Sequence, residues 1–309
     1  MSGGSTTLAA NNIEQVNKKI LEAFVAGNSS YESTFENTFR IREPERKDER
    51  FAIVKTDSGV TETADGGAYP IQDVREIGVN QISQKVYKSA IAIGDLTEAF
   101  QANTQVEQTA MTRGYDFKNK IDQLCVNFLD NSTSTTAPYG ITIDGGTYAL
   151  VGTTQPVGDT GTTQSNRVSS LLAKDSINLA RIRMRKMKDH NGRIAGLRPK
   201  RLVTPSEEVM NAWQLTFSPN EPESANNNLN YVKTLGISII ENPLLSDTQG
   251  CYLLADQSIV GARGLLLLVK EMPTMRRVRN DETGNWNYQM RMILNAGVSD
   301  YYGVVSIGV

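Results

Sequence analysis

The sequence predicts an α+β fold organised around one very long helix and one long, polar hairpin. Three observations carry that prediction. Apolar residues recur at steps of three and four from Ala99 and Ala102 through Val106, Ala110, Phe117, Ile121 and Leu124 to Phe128, the spacing of a single helical face. Residues 45–93 hold two strand-like runs, polar on both faces, around a glycine-containing acidic tip. Strand patterns then crowd the last fifty residues, where Tyr288, Met290, Met292 and Leu294 alternate with Asn287, Gln289 and Arg291, the two-residue period of a half-buried strand.

The composition bounds what the protein does. A chain of 309 residues with 39% hydrophobic residues can bury one large core or two modest ones. The formal charge of -2 gives no whole-chain field toward nucleic acid or an acidic surface. The longest apolar run, Leu265–Val269, falls far short of the roughly 20 residues a membrane helix needs. The first twelve residues, MSGGSTTLAANN, lack the basic start and apolar stretch of a signal peptide. Cys125 and Cys251 have no paired spacing and read as reduced, buried thiols.

Taken in order, residues 10–26 read as an amphipathic helix through Ile13, Val16, Ile20 and Phe24. It packs on its own domain or on a neighbouring chain, and the sequence favours neither. Charges dominate Arg42 to Arg50, then a strand runs from Phe51 to Lys55 and a second from Arg75 to Ile93. A two-stranded hairpin that is polar on both faces buries little apolar area and needs a surface to lie against. That surface is a neighbouring subunit or the domain's own sheet. The long helix follows, with Asp95 and Glu98 as a capping-box-like start and the run after Asp130 as its end. Over about 34 residues it would span roughly 50 Å.

Residues 131–168 are rich in Gly, Thr, Ser and Pro and read as a long loop with a short hairpin near Ile141–Val151. Residues 169–258 read as an α/β module. One helix is capped by Asp175, another by the step Thr204-Pro205-Ser206-Glu207, and strands run over Ile237–Ile240 and Tyr252–Leu254. Beyond it, Leu265–Val269, Met275–Arg279, Trp286–Leu294 and Tyr301–Ile307 are strands.

A search for chemistry finds no constellation. The single histidine, His190, follows a helix and reads as a helix-terminal polar residue, and one histidine with two unpaired cysteines builds no zinc site. There is no nucleophile elbow, phosphate loop or dinucleotide fingerprint. The carboxylates near Asp57–Asp73 sit on a solvated tip, where nothing splits their pKa values as paired catalytic acids require. The basic residues Arg181, Arg183, Arg185, Lys186 and Lys188 scatter around their helix. No catalytic residue, cofactor or metal is expected.

The order of parts, with the segments RLVTPSEEVMNAW, LGISIIENPLL and RRVRNDETGNWNYQMRMILNAGVSDYYGVVSIGV, resembles the HK97-type fold of tailed-phage major capsid proteins. The resemblance implies an N-terminal arm over 1–44 and an extended loop over 45–93. It implies a peripheral domain with a spine helix over 94–135 and 259–309, a connecting loop over 136–168 and an axial domain over 169–258. It implies self-assembly into the pentamers and hexamers of an icosahedral virion capsid that encloses double-stranded DNA, contacted non-specifically, with assembly in the host cytoplasm. A portal and a separate scaffolding protein are implied partners, since the chain leaves no room for a scaffolding segment before the arm. A decoration protein stays open. Between neighbours, Arg42, Arg46, Lys47 and Arg50 would meet Asp57, Glu62, Asp65 and Asp73. An encapsulin-like nanocompartment shell and a soluble α/β enzyme with a scattered site are the alternatives.

Overall fold

The computed structural model describes residues 4–56, 62–63, 65, 73–93, 104–220, 229–260, 263–281 and 285–309. Its main helices are α1 (Gly4–Ser30), α2 (Thr104–Asp130), α3 (Lys174–Lys186) and α4 (Val209–Phe217). Its main strands are β1 (Asp48–Thr56), β2 (Val74–Ser83), β3 (Lys85–Ile93), β4 (Arg167–Val168), β5 (Pro199–Thr204), β6 (Ser238–Glu241), β7 (Cys251–Ala255), β8 (Leu265–Arg279), β9 (Trp286–Val298) and β10 (Val304–Ile307). The chain divides into two compact units.

The first unit comprises Met1–Phe35, Gln84–Leu124 and Leu268–Asn295. Helix α1 is longer than its sequence pattern and meets α2 backbone to backbone. A methyl group on Gly27 would run into the Met111 carbonyl, and one on Gly114 into the Phe24 carbonyl, so only glycine allows this approach. Phe24 and Phe117 pack edge to face at 6.3 Å between ring centroids. Asp122, buried on α2, accepts the backbone N–H groups of Thr34 and Phe35 at 3.0 and 2.7 Å and so fixes the chain just after α1. Burial raises its pKa above the usual carboxylate value, against the pull of those N–H donors. Strands β8, β9 and β3 lie side by side in that order. Tyr288, Met290, Met292 and Leu294 of β9 are buried as their alternation predicts, and the Tyr288 hydroxyl donates to Asn17 Oδ1 of α1 at 2.5 Å. The capping pair Asp95 and Glu98 lies outside the described residues.

The second unit comprises Glu36–Ser83, Cys125–Leu267 and Ala296–Val309. Its five-stranded sheet has the order β6-β5-β7-β10-β4. Strand β5 pairs in parallel with β6 and antiparallel with β7, and β7 pairs antiparallel with β10. Every residue of β7 and β10 is buried, as central strands covered on both faces require. The Tyr252 hydroxyl donates to the Leu129 carbonyl at 2.7 Å and lies 3.1 Å from Ser132 Oγ, tying the end of α2 to this sheet. Burial pushes the Tyr252 phenol and the Cys251 thiol each up to about 12, which leaves both neutral.

Several sequence readings are corrected. Strand β10, within the 259–309 stretch, pairs with β7 in the second unit's sheet, and all four of its residues, Ser306 included, are buried. The strand read over Arg75–Ile93 is two strands separated at Gln84, β2 paired with β1 and β3 paired with β9. Leu265–Val269 and Met275–Arg279 are parts of the single strand β8. At the start of α3, Ser176 Oγ exchanges hydrogen bonds with the Ala173 backbone at 2.8 Å each way, in place of the cap read at Asp175. The step from Thr204 to Glu207 does not open α4, which begins only at Val209 after Glu208; the Ser206 hydroxyl instead donates to Glu241 Oε1 at 2.6 Å.

Candidate assembly surfaces

The β1–β2 ribbon is the first candidate surface. Its register runs from Asp48 opposite Ser83 to Thr56 opposite Val74, with an irregularity after Ile53. Of the two surfaces the sequence left open, the inner half of the ribbon uses its own unit. Asn80, buried, donates from Nδ2 to the Ser299 carbonyl at 2.9 Å and accepts the Thr142 N–H at 2.8 Å. The Ile77 carbonyl accepts the Asp144 N–H at 2.6 Å. Gly78 is pressed against the Thr142 carbonyl, where any side chain would clash.

Toward the tip, Asp159 binds both Lys55 and Arg75, one cation from each strand. The Thr56 N–H donates to Asn191 Oδ1 at 2.8 Å. Asn191 follows His190, which is not the helix-terminal surface residue the sequence suggested. Its ring is buried, 2.8 Å from the Asp300 carboxylate and edge-on to Tyr301 and Tyr302. A buried hydrogen-bond partner replaces the solvent that a helix end would offer.

The outer side of the ribbon is open. Val54 and Val74 are 38% and 64% exposed. Of the candidate contact residues, Arg42, Arg46, Lys47 and Arg50 are all exposed at the ribbon's root. The Arg42 guanidinium lies over the Phe51 ring at 5.9 Å. The Glu49 carboxylate accepts the backbone N–H groups of Glu45 and Arg46 at 2.5 and 3.1 Å, bonds that hold its pKa below the usual value. Glu62, Asp65 and Asp73 are exposed, and Asp57 lies outside the described residues. The structure pairs none of the four root cations with the described tip acids.

Helix α4 supplies a second surface, which the sequence reading missed. Met210, Trp213 and Phe217 recur at steps of three and four and are 73%, 55% and 42% exposed. The Trp213 and Phe217 rings sit 4.3 Å apart. Periodicity alone showed an apolar face; it did not show that the face points outward. Contiguous exposed aromatic and methionine side chains mark an interaction surface. Among the described residues no group of His, Cys, Asp and Glu could hold a metal, and no helix is long and apolar enough to cross a membrane.

A family model described as phage capsid protein matches residues 81–307. The chain belongs to that family. Solved structures agree on the fold. The capsid of the cyanophage P-SCSP1u aligns at 12% identity over 89% of this chain and 88% of that one, with a TM-score of 0.52. The capsid of Ralstonia phage GP4 aligns at 10% identity over 89% and 90%, with a TM-score of 0.54. A virus-like particle from Pyrococcus furiosus aligns at 11% identity over 94% and 98%, also at 0.54. No curated protein matches by sequence. The chain is thus a capsid protein of HK97-type α+β fold, a structural protein of the virion whose copies form its shell.

Proposed function

We propose that this capsid protein associates with copies of itself into pentamers and hexamers that close an icosahedral shell around double-stranded DNA, without catalysing a reaction. The observation that carries the reading is the pair of open surfaces on one subunit: the outward apolar face of α4 and the unpaired outer side of the ribbon. Apolar contact on the first supplies strength, and charge on the second sets register. Arg42, Arg46, Lys47 and Arg50 at one ribbon's root meet Asp57, Glu62, Asp65 and Asp73 of a neighbour, each exposed pair contributing about 0–1 kcal/mol. The domain assignment follows the same reading: an arm over 1–44, an extended loop over 45–93, a peripheral domain around α2 and an axial domain over 169–258. A separate scaffolding protein and a portal direct closure, and a decoration protein would bind the finished shell. The family match favours this reading over a nanocompartment shell or a soluble enzyme.

Sedimentation and negative-stain microscopy of the purified full-length chain test it. Capsomers or megadalton particles are expected, and Trp213→Glu shifts the population toward free subunits. A chain that stays monomeric at high concentration overturns the reading.

A further inference from the structure

On the exposed face of the first unit's sheet, two cations stand directly opposite each other. Lys88 of β3 pairs in register with Arg291 of β9, and directly opposed residues of an antiparallel pair share a face with their Cβ atoms about 5 Å apart. A third cation, Arg276 of β8, reaches across the same face to Gln289 Oε1 at 2.9 and 3.1 Å. Lys88, Arg276 and Arg291 are all exposed. They lie on three adjacent strands, spaced by about 4.8 Å per strand.

Like charges directly opposite destabilise a sheet. Charge on an edge strand guards against unwanted pairing, which accounts for Lys88 but not for Arg291, whose strand is flanked by β3 and β8. Glu271 engages Arg291 through both carboxylate oxygens at 3.0 and 2.9 Å. Lys88 has no carboxylate partner among the described residues, and Arg276 feels the charge of Glu271 without forming a close ion pair with it, since both oxygens of that carboxylate go to Arg291. Beside the row, Ala90 and Ala92 are exposed and small, so a broad rigid partner can approach closely. Arg277 and Arg279 take no part, being stacked on the Trp286 ring at 3.3 and 5.6 Å.

We infer that this sheet face binds the phosphate backbone of double-stranded DNA, with Lys88 and Arg276 as the cations that neutralise phosphates and Arg291 supporting them. The inference rests on the reading that the shell encloses DNA, and it names the surface involved. A polyanion is the partner whose charge complements a row of cations in an otherwise near-neutral chain, and a regular phosphate array needs no base-reading groups.

The test is binding of a mixed-sequence duplex of fixed length to the full chain, below the concentration at which shells close, followed by fluorescence anisotropy across a salt series. The wild type should bind with a salt-dependent affinity. The Lys88→Gln/Arg276→Gln double variant should flatten the log–log salt slope by about 1.8, at about 0.9 per cation lost. Each single variant should lose about half of that, which keeps the test intact should the double variant fold poorly. Lys88→Arg should keep the wild-type slope. Arg185→Gln/Lys186→Gln on α3 should leave it unchanged. Absence of DNA binding by the wild type would reject the DNA reading and the site together. A wild type that binds while the sheet variants keep its slope, or a slope that drops only in the α3 control, would reject the sheet alone. Preference for polyglutamate over the duplex at equal salt would assign the row to an acidic protein segment and overturn the inference.

Discussion

The β1–β2 ribbon and the β5–β7–β10 sheet are both built of paired strands in the same unit, yet they are held by different forces. Every residue of β7 and β10 is buried, so that sheet is fixed by apolar burial spread over many side chains. Only one of the nine residues of β1 is buried, and the ribbon is fixed by three spaced isoleucines, Ile53, Ile77 and Ile82, and by a few separate polar anchors: Asn80, Asp159 and Asn191. Distributed burial gives a region that opens only when the whole unit unfolds. A handful of discrete bonds gives one that can open locally at small cost. The same chain therefore carries a fixed frame and a strap that can be released from it.

The contrast can be broken from the sheet side first. Leu253 is fully buried on β7, and Leu253→Ala is expected to cost about 2–5 kcal/mol of global stability, measured by chemical denaturation, with no selective effect on the ribbon. Asn80→Ala acts on the other side. It leaves the Ser299 carbonyl and the Thr142 N–H without their partner, a loss of about 1–3 kcal/mol. Hydrogen exchange should show that loss concentrated in β2 while β7 keeps its protection; equal loss in both would abolish the distinction between frame and strap.

The smallest effect is the one set by pH. The folded-state pKa of Glu49 lies below its ordinary value because its carboxylate accepts two backbone N–H groups. Its contribution is therefore complete above the ordinary glutamate range and is lost as pH falls through the lowered value. Amide exchange at Glu45 and Arg46 should quicken across that window. Glu49→Gln should remove the pH dependence.

Much of the frame was legible in the sequence. The spine helix declares itself because its apolar face repeats without interruption to Phe128, and β9 because its alternation is clean. What escaped depends on partners distant in the chain. Nothing around Ser83-Gln84-Lys85 marks a turn, so the change of partner there is set by tertiary pairing alone. Strand β10 looks like any short apolar run until β7 is found beside it. His190 acquires a buried carboxylate 110 residues away, and Lys55 an anchor 104 residues away. Sequence marked the tip acids as solvated, and Glu62, Asp65 and Asp73 are exposed. The outward apolar face of α4 resembles a core stripe until its surroundings are known, and periodicity does not distinguish the two.

The glycine crossing between α1 and α2 has a mechanical corollary. Where two rods touch main chain to main chain, no layer of side chains remains to act as a lubricant, and neither rod can roll or slide without a collision at Met111 or Phe24. A load applied to the first thirty residues is delivered directly to the spine, so the leading segment works as a welded brace for the subunit and not as a slack tether.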